Sequence, residues 1–288
     1  MTGYRGGLWR LLAPFLVGSL ALVLVPMVVT AGYAFTRYDA LGPADFVGWD
    51  VFRELWSDPE VRDGFAATGW LLLMAVPLRL AGGVALALLL HRRERLATTG
   101  RLAAYLPAVV PDAATALVWL WIVNPFFGPI GILARSLGGG PLLLDPWGAR
   151  LTIAALTVLA LGEGFLVTLA ARREVSPVLY DVARLEGAGP WRAFRGVTLP
   201  SLAPVLGLLT ARDLLMSLQV ALVPTLLLTR GGPLNSTKTL PVLIYERGFR
   251  ELRLGDAAAL SLVMVVLGAL VVALQFRLLR RWSRTALD

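Results

Sequence analysis

The sequence predicts an all-α, polytopic membrane protein with six transmembrane helices. Of its 288 residues, 57% are hydrophobic and 16% are charged, and the mean hydropathy is +0.71. A soluble domain is about 45–50% apolar and about 25% charged. A helix needs about 20 mainly apolar residues to cross a bilayer core. Six stretches meet that requirement: 11–36, 66–90, 102–124, 151–171, 203–228 and 257–277. We expect the whole chain, 1–288, to form one transmembrane domain.

The first span predicts a retained helix rather than a cleaved leader. It is longer than the 7–15 apolar residues of a signal peptide and lacks a clear small-residue cleavage site. Prolines in or near the spans predict kinks, which membrane bundles tolerate because neighbouring groups satisfy the freed carbonyls. These prolines are Pro14, Pro26, Pro77, Pro107, Pro111 and Pro224.

The distribution of cations predicts the orientation. Six spans place both termini on one side, together with the loops that follow the second and fourth spans. That side carries fifteen of the 27 lysines and arginines, the opposite side carries ten, and Arg79 and Arg212 lie within spans. The positive-inside rule therefore places both termini in the cytoplasm. The loop 37–65, which holds seven acids, is then outside, although five cations in the last outer loop weigh against this orientation.

Composition excludes several classes of protein. The chain has no cysteine and its one histidine is His91, so we expect neither thiol catalysis nor a metal site built from these residues. The net charge of +8 is explained by topology, and we expect no nucleic-acid partner. A phosphate-binding motif of the Gly-x-x-x-x-Gly-Lys-Ser/Thr form is absent from the sequence, so we expect ATP to be hydrolysed elsewhere.

The most informative segment is the loop 175–200, between the fourth and fifth spans. Ser176-Pro177 predicts a helix start, and Gly187 predicts its end because glycine accepts the left-handed conformation of a C-cap. Pro190 predicts the first turn of a second short helix, which we expect to end at Leu199-Pro200. Such a helix–turn–helix suits docking on a soluble partner. An amphipathic helix resting on lipid is the alternative.

This loop resembles the EAA motif of ABC importer permeases. The match falls on Asp181-Val182-Ala183, Gly187-Ala188 and Leu199-Pro200, with Asp181 in place of the usual glutamate and Val182 in place of alanine. Other pieces resemble the sugar-type permeases along nearly the whole chain. They are Phe46–Asp50 with Asp58-Pro59, Trp119 and Trp121 with Asn124-Pro125 and Gly128, and Thr229–Pro233 with Ser236-Thr237, where Arg230 replaces a glycine.

The resemblance implies a type I ABC importer fold in the bacterial cytoplasmic membrane, with a cytoplasmic coupling helix. It implies a second homologous permease, two ATP-binding cassette subunits that bind ATP and Mg²⁺, an extracytoplasmic solute-binding protein, and surrounding lipid. No cofactor on this chain and no catalytic residue are implied. The residues expected to couple transport to the ATPase are Tyr180, Asp181, Ala183, Glu186, Gly187, Ala188, Leu199 and Pro200.

Charged and polar residues inside the spans are candidates for solute contact, because ionisable groups at bilayer depth are costly and face a cavity or a partner. Asp213, Ser217 and Gln219 are expected to share one helix face, and Glu163 is a further candidate. We expect Arg212 and Asp213 not to pair, since adjacent helical residues point about 100° apart. Structural bonds between helices are the alternative for all of these residues. Arg79 is expected to serve as a helix or subunit partner.

The predicted function is that of a permease subunit of an ATP-driven, binding-protein-dependent importer for a sugar or related small polar solute. Glycerol-3-phosphate, an amino acid or a peptide are alternative solutes. A membrane-embedded enzyme is a further alternative, against which the lack of a His, Cys or paired-carboxylate site argues. A passive channel would not need the docking loop.

Overall fold

The computed structural model describes residues 2–91 and 95–285, with side chains at 11–91, 97–219 and 221–277. Arg92 and Arg93, counted above among the cytoplasmic cations, lie outside the described residues. The helices are α1 Thr2–Ser19, α2 Val25–Tyr33, α3 Asp50–Ser57, α4 Pro59–Leu89, α5 Arg95–Val109, α6 Asp112–Ile122, α7 Pro129–Ser136, α8 Pro146–Leu159, α9 Gly162–Glu174, α10 Pro177–Leu185, α11 Pro190–Ala193, α12 Leu199–Val220, α13 Leu222–Leu228, α14 Leu240–Tyr245 and α15 Leu254–Thr285.

The remaining regular structure is brief. Three π-helical turns cover Leu20–Leu24, Phe194–Thr198 and Glu246–Arg250, and a 3₁₀ turn covers Leu142–Leu144. Two antiparallel strands of two residues each, β1 Thr36–Arg37 and β2 Asp45–Phe46, pair Thr36 with Phe46. The predicted all-α fold class is confirmed.

The described residues hold four helical segments that are long and apolar enough to cross a membrane, and six if each of two bent helix pairs makes one crossing. The four are Leu11–Tyr33, Pro59–Leu89, Pro190–Gln219 and Leu254–Arg277. The bent pairs are Ala97–Val109 with Asp112–Ile122, at 101°, and Pro146–Leu159 with Gly162–Glu174, at 44°. These segments overlap the six predicted spans, but the fifth begins at Pro190 rather than at 203, and the third and fourth are bent helix pairs rather than single helices.

Each break has a local cause. At the 101° bend, Pro111 lacks the N–H that would continue α5, and the residue before a proline avoids the helical conformation. At the 44° bend, Gly162 starts α9 where an added Cβ would lie 3.0 Å from the Tyr105 Cα atom. A glycine there permits close contact between helices. The fifth predicted span, 203–228, also divides at Ala221, three residues before Pro224.

The chain forms two compact units. The first contains the residues up to Val61 together with Leu243–Leu267. Within it, the Arg247 side chain is 8% exposed and bonds three carboxylates: Nη2 lies 2.6 Å from Asp58 Oδ2 and 2.9 Å from Glu60 Oε2, and Nη1 lies 3.0 Å from Glu251 Oε2. Nearby, Arg37 pairs with Glu54. Acids of the loop 37–65 thus neutralise a cation of the predicted last outer loop, whose charge weighs against the predicted orientation.

The second unit contains Arg62–Val242 and the chain from Gly268 onward. One core cluster joins α4, α6, α8 and α13 through Leu71, Ala116, Ile153 and Leu228. A second cluster packs Phe165 of α9, which is fully buried, against Ala87 of α4. Small residues let these helices approach closely, because shape rather than apolar burial drives helix association in lipid. Arg79 lies on α4 and Glu163 on α9, whereas the other candidate functional residues lie on α10, its cap and α12.

Candidate functional site

The first helix of the loop 175–200 ends as the sequence predicts. α10 begins at Pro177, and Gly187 has a φ of +74°, so the predicted left-handed residue is confirmed. The Ala188 N–H donates to the Ala183 carbonyl at 2.9 Å and the Gly187 N–H to the Arg184 carbonyl at 3.0 Å. This pair of bonds is a Schellman motif, which satisfies the last carbonyls of the helix. Ser176 occupies the N-cap position, but its side chain makes no capping bond.

The prediction that the second short helix ends at Leu199-Pro200 is wrong. The chain is helical from Pro190 through α11, the π turn Phe194–Thr198 and α12 to Val220. In the π turn, the Leu199 N–H donates to the Phe194 carbonyl, five residues back. This wider turn directly precedes Pro200, which cannot donate a backbone bond. The second half of the loop is therefore the first part of the fifth span.

Side chains hold the two halves of this loop together. The Tyr180 hydroxyl lies 2.8 Å from Thr198 Oγ1, and the Arg172 guanidinium carbon lies 4.3 Å from the centre of the Tyr180 ring. Ala183 is 8% exposed and faces inward. The remaining predicted coupling residues of α10 and its cap, Asp181, Glu186 and Gly187, are exposed.

Apolar side chains share the outer surface of the loop. Val182 is 46% exposed, Leu185 is 88% exposed and Trp191 is 69% exposed. Leu199 is half-buried, whereas Pro200 is exposed. Val182 and Leu185 lie three residues apart on α10 and share one helix face, so they form an exposed apolar patch that is suited to contact with another molecule.

Two turns show what the residues of the predicted signature do in this structure. Asn124 Oδ1 accepts from the Phe126 and Phe127 N–H groups at 2.9 and 3.1 Å, and a Cβ at Gly128 would lie 2.2 Å from the Trp121 carbonyl oxygen. Only glycine fits there.

In the second turn, the Thr237 hydroxyl bonds Thr229 Oγ1 at 2.7 Å and the Gly232 carbonyl at 2.8 Å. Arg230, which replaces a glycine of the signature, has a φ of +52°. An arginine therefore occupies a backbone conformation that favours glycine.

A buried ion pair links three membrane helices. The Arg79 side chain of α4 is 7% exposed and that of Asp213 of α12 is 2% exposed, with 3.9 Å between Nη1 and Oδ1. Arg79 also donates from Nη2 to the Thr157 carbonyl of α8 at 2.7 Å. Thr157 lies in the last turn of α8, where carbonyls lack partners within the helix and a cation is favourable. Arg79 is thus a helix partner, as expected.

Arg212 extends this pair to a fourth helix. It forms an ion pair with Glu163 of α9, and its Nη1 lies 3.3 Å from Asp213 Oδ1. The prediction that Arg212 and Asp213 do not pair is wrong, because the long arginine side chain bends back towards its neighbour. The Arg212 and Glu163 side chains are 42% and 51% exposed. Together, Arg79, Asp213, Arg212 and Glu163 form a row of alternating charge, which we call the charge cluster.

The expectation that Asp213, Ser217 and Gln219 share one face is also wrong. Asp213 and Ser217 are 1% and 5% exposed, whereas Gln219 is exposed. Six residues turn a helix by about 600°, which places Gln219 about 120° away from Asp213. Gln219 instead follows Arg212 by seven residues, nearly two full turns.

The exposed face of α12 is a continuous stripe at spacings of three and four residues. It consists of Ser201, Pro204, Leu208, Arg212, Leu215 and Gln219. Sequence reasoning missed Arg212 as a member of this stripe, although the spacing between Arg212 and Gln219 was a usable signal. The buried face of the helix holds Asp213 and Ser217.

Other residues considered from the sequence have local roles. Trp119 packs against the core cluster that joins α4, α6, α8 and α13. Trp147 is 59% exposed, and its ring contacts Trp70 and the Arg150 guanidinium. Asp112 lies in the first turn of α6, where an acid stabilises the helix start. His91 is exposed, and its Nδ1 lies 2.6 Å from the Leu88 carbonyl.

Comparison with known proteins identifies the family. The model of the family described as binding-protein-dependent transport system inner membrane component matches residues 80–284, which is more than half of the chain. The chain belongs to this family. The permease is 31% identical over 278 residues to the inner membrane ABC transporter permease protein YcjO of Escherichia coli, with 92% of this chain and 91% of YcjO covered.

Two further comparisons agree with this family assignment. The permease is 28% identical over 281 residues to the sulfoquinovosyl glycerol transport system permease protein SmoG of Agrobacterium fabrum, covering 94% of this chain and 91% of SmoG. Its fold matches a chain of a bacterial ABC transporter involved in the import of the acidic polysaccharide alginate, with a TM-score of 0.84 and 21% identity, covering 97% and 96% of the two chains. The permease is therefore the membrane component of a binding-protein-dependent ABC importer.

We predict that Asp213→Ala destabilises the permease strongly. The substitution leaves Arg79 buried without its anion, and breaking such a pair costs about 3–5 kcal/mol. Glu163→Gln is the control: its partner Arg212 keeps Asp213, and a half-exposed pair contributes about 1 kcal/mol or less. Thermal unfolding of the purified protein in detergent measures both.

A double variant separates lost charge balance from lost packing. Arg79→Met combined with Asp213→Leu removes both charges and should recover part of the lost melting temperature. If Asp213→Ala had the same melting temperature as the wild type, the charge cluster would have no structural role.

Proposed function

We propose that this permease is one of two similar membrane subunits of an ATP-driven importer, and that it moves a sugar or related small polar solute into the cytoplasm. The solute path lies between the two permeases. Two separate ATPase subunits bind ATP and Mg²⁺ and drive the change of access. A solute-binding protein delivers the solute at the opposite face.

The observation that carries this proposal is the exposed surface of the loop 175–200. A passive channel or a membrane enzyme has no need of a capped helix that presents Leu185, Asp181 and Glu186 outward at one end of a membrane helix. ATP binding can shift the permease between states only through contacts that differ between those states. This loop offers such contacts, and its helix continues into the stripe that carries Arg212 and Gln219.

We propose that this loop and both termini lie in the cytoplasm. Lysines and arginines concentrate on that side. The acids of the loop 37–65, including Asp58 and Glu60, then lie outside with the Arg247 that they bond.

The solute class rests on the relatives and on the stripe of α12. SmoG is named for a glycoside, sulfoquinovosyl glycerol, and the alginate importer for a polysaccharide. Arg212 and Glu163 are half-exposed at bilayer depth, where charged groups face a cavity or a partner rather than lipid. Arg212, Glu163 and Gln219 offer donors and acceptors that suit hydroxyl groups. A thermal-shift screen of the associated binding protein against sugars and glycerol-3-phosphate identifies the solute.

We predict that Gly187→Val uncouples transport from ATP hydrolysis. A β-branched residue is a severe outlier at a φ of +74°, and such strain costs about 1–3 kcal/mol. A Cβ at Gly187 would meet nothing within 4 Å, so backbone conformation alone is tested. Glu186→Ala should show a weaker loss. The assay is ATPase activity of the complex in nanodiscs, with and without loaded binding protein.

Gly189→Val is the matched control for that experiment. Gly189 has a φ of −69° and a ψ of 171°, which valine adopts readily, and a Cβ there also meets nothing within 4 Å. Stimulation should be lost in Gly187→Val and kept in Gly189→Val at equal insertion. Full stimulation of Gly187→Val would remove the coupling role of this loop.

Single cysteines test the orientation, because the chain has no cysteine of its own. Ser57→Cys should react with a membrane-impermeant maleimide added to the outside of intact cells, and Ser176→Cys only after the membrane is opened. Both serines are exposed, and the Ser176 side chain makes no capping bond. The reverse labelling pattern would invert the proposed topology.

We predict that Gln219→Ala raises the apparent KM for uptake about threefold to tenfold, the effect of one lost hydrogen bond. Ser217→Ala is the control, because Ser217 is buried on the other face of α12 and its hydroxyl has no hydrogen-bond partner among the described residues. Uptake of labelled solute by proteoliposomes gives both values. Equal KM values for the two variants would remove Gln219 from the solute path.

A further inference from the structure

A large cleft lies between the loop 175–200 and α4, and the exposed Trp191 is one of its lining residues. Its volume is about 1140 Å³, and it is bounded by the second half of α4, the end of α9, the helix α10 and the start of the helix that continues into α12. The predicted coupling residues Tyr180, Ala188 and Leu199 line this cleft, whereas the exposed residues on which the proposed docking rests, Asp181, Leu185 and Glu186, do not.

The inner wall of the cleft is apolar. Leu80, Val84 and Leu88 lie on one face of α4, with Ala81 and Ala85 beside them. These residues extend about 12 Å along the helix axis, close to the about 15 Å that one leaflet contributes to a hydrocarbon core of about 30 Å. Because α4 is a membrane span, this wall runs from the end of the span into the depth of the bilayer.

The rim of the cleft is cationic. Arg172 and Arg184 line it together with His91, and no carboxylate is among its described lining residues. Arg184 also pairs loosely with Asp181, at 3.5 Å. The Arg172 Nε atom is buried and has no hydrogen-bond partner among the described residues. Its guanidinium lies on the Tyr180 ring, a contact that uses no N–H donor. The rim therefore holds unused donors and a positive charge.

We propose that this cleft binds one anionic phospholipid of the cytoplasmic leaflet, with an acyl chain along α4 and the phosphate at Arg172 and Arg184. Basic pockets between membrane helices on the cytoplasmic side suit anionic headgroups. Trp191, at the same rim, is a residue type enriched at the membrane–water boundary. The inference depends on the proposed orientation, which puts this end of α4 in the cytoplasmic leaflet.

Protein occupants fit the cleft less well. A soluble ATPase subunit would meet the outward surface of the loop, and it does not reach an apolar wall inside the bilayer. A helix of a second permease could cover the apolar wall. Such a helix would leave unexplained why Arg172 and Arg184 lie at the rim while the described cleft lining contains no carboxylate.

The lipid would act on coupling, because the cleft is partly built by the loop that we propose to dock on the ATPase. Tyr180 and Arg184 belong to α10, and Thr198 lies in the π turn. A phosphate held between Arg172 and Arg184 would bridge α9 to α10 and restrict the movement of α10. Anionic lipid is therefore expected to increase the stimulation of ATPase activity by loaded binding protein.

The test is native mass spectrometry of the purified complex after exchange into equimolar phosphatidylglycerol and phosphatidylcholine. The wild type should retain one phosphatidylglycerol in preference to phosphatidylcholine. Arg172→Gln should lower that preference about fivefold, the effect of one cation at an anionic surface, whereas Arg172→Lys should keep most of it. Arg173→Gln is the control, because Arg173 is exposed, adjacent in sequence and outside the cleft lining.

A second variant tests the acyl-chain wall without touching charge. Ala85→Phe fills the cleft and should lower retention of both lipids. Equal phosphatidylglycerol retention by the wild type, Arg172→Gln and Ala85→Phe would overturn the proposal. So would a cross-link from Ala85→Cys to a protein subunit, since it would show that a partner fills the cleft.

The readouts separate this inference from the proposed function. Lipid retention is measured without transport or ATP hydrolysis. Loss of ATPase stimulation in every lipid mixture, with phosphatidylglycerol still retained, would count against the proposed coupling role of the loop alone. Normal stimulation in pure phosphatidylcholine, with no selective retention, would count against the lipid site alone.

Discussion

The ion pair between Arg79 and Asp213 is the constraint on which the membrane helices depend. Two charges at bilayer depth are tolerated only when each finds a partner. Arg79 satisfies an end carbonyl of α8 as well as the carboxylate of α12. Arg212 then joins Asp213 to Glu163 at the start of α9. Both sides of the bend between α8 and α9 are thus held by guanidinium groups, and α12 supplies the carboxylate between them.

This arrangement divides the work of α12 between its two faces. The buried face fixes the helix through Asp213, and the exposed stripe carries polar groups of the kind that the proposed solute path needs. Arg212 belongs to both, since its side chain is half-exposed while it bonds two carboxylates. A solute that competes for Arg212 would therefore act on the interactions that hold the bend between α8 and α9.

The sequence predicts well what local signals decide. The positions of the spans follow from apolar length, and the left-handed turn at Gly187 follows from the need of a helix end for a residue without a Cβ. Contacts between distant helices were harder to predict. No local sequence pattern predicts that Arg79 faces Asp213 or that the Arg212 side chain bends back to its neighbour. Gln219 lies off the predicted face because six residues turn a helix about 120° short of two full turns. The helix does not end at Pro200 because the π turn before this residue accommodates the proline within the helix.

The continuity of the helix from Pro190 to Val220 has a mechanical consequence. Arg212 lies about 33 Å along this helix from Pro190. If the segment moves as one rod, a tilt of about 5° about its Pro190 end displaces Arg212 by about 3 Å, roughly the length of a hydrogen bond. Such a lever needs no hinge between the two faces of the membrane. Its most compliant point is the π turn Phe194–Thr198, where helical hydrogen bonds are rearranged. The stiffness of these five residues therefore sets how much of a displacement at Pro190 is transmitted to Arg212.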